Sequence, residues 1–264
     1  MKFGKSQGSI VIWEGQSVKQ YPSMNTINPF ILDHTLINTE TNIPSSEPSV
    51  FQLMLKPSKI ICLAKNYSAH AVEMGVLPQE LPETPSLFLK PPSSLIGPNE
   101  KIIIPPHTSE VHHEVELAII IGKRGKNISL EDAYDYIFGY TILLDITARD
   151  LQSIAKKKGR PWFVAKGFDT FCPIGSVITT VDEVPNPHSL NIELSVNNEL
   201  RQKGNTGDML TKIDQIIQYC SSMMTLEPGD IIATGTPEGV GTFNRGDNLH
   251  ASIEKLGSLE IGVE

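Results

Sequence analysis

Three acidic side chains in this sequence stand where their neighbours are apolar. The run His112-His113-Glu114-Val115-Glu116-Leu117-Ala118-Ile119-Ile120-Ile121 reads as a strand from His113 to Ile121. Strand side chains alternate between faces. Glu114 and Glu116 therefore share one face with Ala118 and Ile120, while Val115, Leu117, Ile119 and Ile121 occupy the other. Two like charges at the mouth of an apolar strand repel each other and lose hydration, and a bound cation relieves both costs. Asp145 closes a second apolar strand, Ile142-Leu143-Leu144, directly before a helix start. Three carboxylates with open positions suit a hard cation such as Mg2+ or Mn2+, whereas zinc favours His and Cys. The spacing alone leaves a plainer reading open, in which the glutamates lie on a solvated sheet face and Asp145 only begins a helix. A zinc-protease helix motif fails at once, because Leu117 stands where its second His belongs.

The surrounding elements are strand-rich. Residues 1–55, with Ser9-Ile10-Val11-Ile12-Trp13 as their clearest strand, read as a small N-terminal unit, joined near Leu55-Lys56-Pro57-Ser58 to a larger unit spanning 56–264. A strand follows at 59–64, and prolines from Pro78 to Pro106 mark a long region of loop. Ser129 and Asp132 predict the start of a helix through Tyr134 and Ile137 that stops near Gly139, followed by a strand at 140–144. Thr147 and Asp150 predict a helix running through Ile154 to Lys156-Lys157-Lys158 and ending at Gly159. Further strands are expected at 192–196, 231–234, 250–253 and 259–263, with one more helix through Ile213, Ile216, Ile217 and Cys220. Few helices and scattered strands indicate an α+β fold built on a mixed or antiparallel sheet, not a doubly wound one.

Bulk properties narrow the class. The formal net charge of −8 argues against a nucleic-acid partner. The basic cluster Lys156, Lys157, Lys158 and Arg160 falls at a helix C-terminus, where it complements the dipole. No apolar run reaches the roughly 18 residues of a membrane helix, and the N-terminus carries no secretory pattern, so a cytoplasmic location is expected. Cys62, Cys172 and Cys220 are odd in number and widely spaced, which fits reduced, buried thiols.

Several segments together carry a family resemblance. They are Asn66-Tyr67-Ser68-Ala69-His70-Ala71-Val72-Glu73-Met74, Phe88-Leu89-Lys90-Pro91, the Glu114/Glu116 strand, Asp145-Ile146-Thr147-Ala148-Arg149-Asp150-Leu151-Gln152, Lys158-Gly159-Arg160-Pro161-Trp162, Ala165-Lys166-Gly167-Phe168-Asp169, and the run from Gly229 through Thr236 to Gly241. In order and spacing, over about residues 59–263, the chain resembles the fumarylacetoacetate hydrolase superfamily, in particular its small acylpyruvate hydrolase and oxaloacetate decarboxylase branch. It departs from that family in carrying Ala64 where Gly is common, and in lacking the large N-terminal domain of fumarylacetoacetate hydrolase itself, so fumarylacetoacetate is not the substrate expected.

The resemblance implies a mixed β-sheet roll or sandwich, a homodimer, and one Mg2+ or Mn2+ per subunit held by Glu114, Glu116 and Asp145. It implies that His70 and Glu73 form a water-activating dyad on a short lid helix, where positions i and i+3 share a face. Lys166 matches the active-site lysine. Arg149 and Gln152 match positions that hold a substrate's carboxylate and oxo groups, and Lys90 and Thr236 are assigned to the pocket wall. Gly235, Gly239 and Gly241 are turn glycines and form no dinucleotide motif. The implied substrate is a small 2-oxo acid. The implied chemistry is hydrolytic cleavage of a C–C bond in an acylpyruvate through a pyruvate enolate stabilised by the metal. Oxaloacetate decarboxylation, or isomerisation or decarboxylation of a 2-hydroxyhepta-2,4-dienedioate-type acid, passes through related enolates. A non-catalytic metal-binding protein is the reading from outside enzymology.

Overall fold

The computed structural model describes residues 56–75, 84–97 and 100–264, together with the backbone of the strands Lys2–Ser6, Ser9–Glu14, Ser17–Tyr21 and Thr41–Asn42. Leu55, at the expected junction, lies outside the described residues, as do Pro78, Pro82 and Pro98 of the proline-rich loop.

The central element is Val115–Ile121, a strand whose seven residues are all buried. Continuous burial on both faces explains why it reads as a nearly unbroken apolar run. It pairs antiparallel with Ile137–Leu144 on one side and Ile231–Ala233 on the other. The sheet continues from Ile231–Ala233 to Ile60–Ala64, in parallel, and then to Ser86–Lys90 at that edge. On the opposite side it passes from Ile137–Leu144 to Ile178–Thr180 and on to the N-terminal strands, which complete ten. A second, five-stranded sheet is ordered Glu199–Asn205, Asn191–Val196, Asn248–Ile253, Gly257–Val263 and Lys101–Ile102.

The two faces of the central strand serve two cores, as the alternation predicts. Val115, Leu117, Ile119 and Ile121 join a large cluster that includes Ile192, Leu194, Ile216 and Ile217. Ala118 and Ile120 pack with Cys62, Leu143, Cys172 and Ile174. Among the described residues the helices are few and short: α1 (Ser68–Glu73), α2 (Arg149–Lys157), α3 (Phe163–Lys166) and α4 (Ile213–Met223). The α+β architecture with mixed, mainly antiparallel sheets is the one expected.

Three local expectations are corrected. The helix placed after Ser129 is only a 3-10 turn at Ala133–Tyr136, although Ser129 Oγ does accept from Asp132 N at 3.2 Å. The chain turns into a strand at Ile137, not at Tyr140, and Gly139 is a strand residue rather than a helix stop. A Cβ there would lie 2.4 Å from Thr179 O, so the close approach of Ile178–Thr180 requires glycine. The strand expected from 113 to 121 is broken at Glu114. Val111–His113 leaves the main sheet and pairs instead with Thr147–Ala148 and Gly241–Thr242. The polar strand Glu199–Asn205 has no apolar alternation to mark it in the sequence. Asn197 and Asn198, both at positive φ, turn the chain back from Asn191–Val196 into it, which is the two-residue hairpin chemistry that favours Asn.

Candidate active site

The acidic residues meet at a corner where two strands change sheets together. Val115 faces Leu144 in the main sheet, and His112 faces Thr147 in the three-stranded one. Between those registers lie Glu114 and Asp145, joined by Asp145 N donating to Glu114 O at 2.8 Å. Glu116, opposite Leu143, points the same way one step inside. Oxygens of Glu114, Glu116 and Asp145 come within 4.8 Å of one another, and all three residues are buried.

Cations and donors are arranged around this trio. Lys166, at the end of α3, donates to Glu114 Oε2 at 2.9 Å and to Asp145 Oδ2 at 2.5 Å. Arg149, the first residue of α2, bonds Glu114 Oε1 through one nitrogen and Gln152 Oε1 through another at 2.6 Å. Gly235 N donates to Glu116 Oε2 at 2.6 Å. Burial pushes the Glu114 carboxyl up, but Lys166 and Arg149 outweigh it and hold the group well below the ordinary carboxylate range. Glu116 goes the other way: burial and then the charges of Asp145 and Glu114 raise it well above that range. Burial pushes Lys166 down, yet Asp145 and Glu114 keep it above its usual value and charged.

Do these residues fit a divalent cation? Lys90 is fully buried, and its ammonium donates to the carbonyls of Ile146, Lys166 and Phe171 at 3.0, 2.6 and 2.8 Å. It lies 2.8 Å from Asp145 Oδ1, but its three N–H bonds are already directed elsewhere. Asp145 Oδ1 therefore accepts no hydrogen bond although it is buried. A buried carboxylate oxygen that has an ammonium nearby but no N–H directed at it, beside a glutamate whose charge is resisted by its neighbours, fits an all-oxygen site for a hard cation. The residues present fit the ion.

A cavity of about 380 Å³, part of it open to solvent, lies over Glu114 and Glu116, while Asp145 sits behind its wall. His70, Glu114, Glu116, Arg149, Gln152, Lys166 and Thr236 all line it. Lys90, expected on the pocket wall, does not; it braces the carbonyls behind Asp145. Glu73 bonds His70 Nδ1 at 3.1 Å and accepts from Gly239 N at 3.0 Å, so it ties α1 to the 237–241 loop. Gly239, at φ +90, has no room for a side chain, since a Cβ would fall 2.1 Å from Arg201 O. The cavity wall also includes Trp162 and Lys156. Lys156 lies in the last turn of α2, as a dipole partner would, and in addition sits 5.2 Å from the Trp162 ring centroid.

One supporting residue carried no signal in the motif itself. Gln202, fully buried on the strand Glu199–Asn205, donates to Thr236 Oγ1 at 2.8 Å and to Pro237 O at 3.0 Å. Its Oε1 accepts from Val115 N at 3.1 Å and faces His113 Nδ1 at 2.9 Å. A carbonyl only accepts, so the bond to Pro237 O fixes the amide's orientation, and His113 must carry its proton on Nδ1. The Asn197-Asn198 turn pairs Val196 with Glu199, and a register shift between Leu194 and Ser195 then sets Gln202, and not Arg201, opposite buried Leu194.

The model of the fumarylacetoacetate hydrolase C-terminal family matches residues 59–264. An oxaloacetate decarboxylase, mitochondrial, of Dictyostelium discoideum is 48% identical over 199 residues, covering 75% of this chain and 89% of that protein. The structure of fumarylpyruvate hydrolase from Pseudomonas aeruginosa in complex with Mn2+ and pyruvate is 36% identical, with a TM-score of 0.75, over 79% of this chain and 90% of that one. A 5-carboxymethyl-2-hydroxymuconate delta-isomerase from Mycobacterium smegmatis is also 36% identical, with a TM-score of 0.78, over 100% of this chain and 98% of that one. A buried carboxylate corner flanked by a lysine and an arginine, within a matched segment of this length, makes the chain an enzyme of the fumarylacetoacetate hydrolase family.

Proposed function

We propose that the chain is a divalent-metal-dependent hydrolase that cleaves a C–C bond in an acylpyruvate-type 2,4-dioxo acid. Glu114, Glu116 and Asp145 would hold Mg2+ or Mn2+. The observation that carries the reading is the His70–Glu73 pair, 3.1 Å apart, with His70 lining the same cavity as Glu114 and Glu116. Decarboxylation needs no activated water, and hydrolysis does.

A bound cation supplies Lewis-acid polarisation of the 2-oxo group. Arg149 and Gln152, held to each other at 2.6 Å, orient the substrate's 1-carboxylate. Glu73 accepts from His70 Nδ1–H, which leaves the other ring nitrogen to take a proton from water. That water forms a C–O bond at the distal carbonyl carbon. The C–C bond then breaks with its electron pair retained on the pyruvate fragment, and His70 returns the proton. Lys166, kept charged by its two carboxylates, stabilises the developing negative charge. Products are a carboxylic acid and pyruvate.

A second reading is oxaloacetate decarboxylation, favoured by the 48% identity to the Dictyostelium enzyme. The test offers acetylpyruvate and oxaloacetate to protein loaded with Mg2+ or Mn2+, with and without chelator. We expect chelation to abolish turnover, and His70→Ala to lower hydrolysis by about 100-fold or more while sparing decarboxylation. Turnover that survives full chelation refutes the metal-dependent scheme. Equal loss of both reactions in His70→Ala refutes the division of roles.

A further inference from the structure

Two amines on the cavity wall, Lys65 and Lys156, play no part in the reaction proposed above. The wall they share is positive. Lys65, Arg149, Lys156 and Lys166 line it, against Glu114 and Glu116 as its acidic groups. Arg149 and Lys166 are both paired with Glu114. Among the described residues Lys156 has no carboxylate at ion-pair distance.

Local structure keeps the Lys156 amine at this wall. Arg149 and Lys156 stand at i and i+7 of α2, so they share one face of the helix. Lys156 Nζ lies 5.2 Å from the centroid of the Trp162 ring, and that ring packs on Phe88 with centroids 5.8 Å apart. Lys65, at φ +60 directly after the strand Ile60–Ala64, brings a second cation to the same wall. Lys156 as a whole is exposed and within reach of a reagent, while its ammonium end is partly screened from water. That screening, then Arg149 and Lys65, with Glu114 opposing and Lys166 adding, push the group down to about 8. About a tenth of it is free amine at pH 7. A lysine desolvated beside other cations is an activated nucleophile.

We propose that Lys156 is an acylation site, modified directly by small anionic acyl donors of the acyl phosphate class. The positive field of the wall draws the donor's phosphate toward the opening. The free amine attacks the acyl carbon and a C–N bond forms. The C–O bond to phosphate breaks with its electron pair on the leaving phosphate, and the amine's proton passes to water. An uncharged amide at Lys156 and inorganic phosphate result. The amide removes one cation from the wall and adds an acyl group beside Trp162, which narrows the opening.

The test incubates the full chain with acetyl phosphate at pH 7.5 and follows each lysine by mass-spectrometric peptide mapping. Lys157 and Lys158, exposed at the same end of α2, are the internal references. We expect Lys156 to acetylate about tenfold faster than either. Lys65→Gly should slow Lys156 about threefold and leave Lys157 and Lys158 within twofold. Glycine suits the left-handed backbone at 65, so an unchanged melting temperature separates lost charge from lost folding. With 4-nitrophenyl acetate, an acyl donor that carries no net charge, the preference for Lys156 should shrink. Labelling of Lys156 no faster than its two neighbours overturns the proposal, and an equal preference with the uncharged donor overturns the guidance by charge. Labelling needs neither a bound cation nor a 2-oxo acid, so its outcome is independent of the reaction proposed above.

Discussion

Gln202 and His113 show how much of this site depends on single buried polar atoms. The Gln202 amide uses all four of its hydrogen-bonding positions, and through them fixes Thr236, the 237–241 loop, Val115 and the ring beside Glu114. His113 is fully buried, and burial pushes its ring down to about 4. The unfolded chain takes up that proton near pH 6.5, and the folded chain refuses it. Stability from this residue is therefore complete above about pH 6.5 and declines as the pH falls toward 4. Between pH 7 and 5 the loss should be about 2 kcal/mol. Glu116, raised by burial and its acidic neighbours, pulls in the opposite direction. The measurement is thus the difference between the wild type and His113→Asn in urea unfolding at the two pH values. His113→Asn should show the flatter dependence, and parallel lines would contradict the assignment. None of this was legible in the sequence, where His113 was only the neighbour of a glutamate. A tautomer is set by a partner 89 residues away.

At the scale of elements, strand crowding explains both what sequence patterning captured and what it missed. Period-two alternation identified the two faces of Val115–Ile121, and helical periodicity identified the buried face of α4, with Ile213, Ile216, Ile217 and Cys220 all inward. Gly139 was misread because a glycine after a polar start looks like a helix stop. Its actual role is to let Ile178–Thr180 approach. Gly139→Ala would place a methyl 2.4 Å from Thr179 O, a backbone atom that cannot rotate away. We expect a destabilisation of about 2–3 kcal/mol, read as a lowered urea midpoint at unchanged m-value. Gly262→Ala is the control, since its nearest neighbour is Lys101 Cγ at 3.9 Å. Chain entropy alone favours alanine at both positions, so a similar cost at both would mean that the contact with Thr179 O does not set the effect.

For the molecule as a whole, the acidic corner couples ion binding to folding. The three carboxylates come from segments that leave the main sheet together, so a cation that needs all three binds only the folded chain. Mg2+ at about 100 times its dissociation constant should stabilise the protein by about 2.7 kcal/mol. The comparator is Lys166→Met. Removing that ammonium leaves Glu114 and Asp145 short of a buried partner, which should destabilise the metal-free protein by about 3–5 kcal/mol. Melting curves with and without Mg2+ would show a larger upward shift in Lys166→Met than in the wild type. A smaller shift would mean that the ion does not share those carboxylates. Among the described residues no helix is long and apolar enough to cross a membrane, and the three cysteines are buried and free, as expected. The amino-acid sequence on its own determined the strand-rich α+β class, the shared face of Glu114 and Glu116, and the segments that carry the family likeness. Those features are local: periodicity and motif order persist in any conformation of the chain. Only the tertiary structure decided that Lys90 braces carbonyls instead of lining the cavity, that Gln202 orients the site, and that Lys65 and Lys156 face one opening. Each of those outcomes depends on which distant backbone atoms surround a side chain once water is excluded, and residue spacing does not encode that.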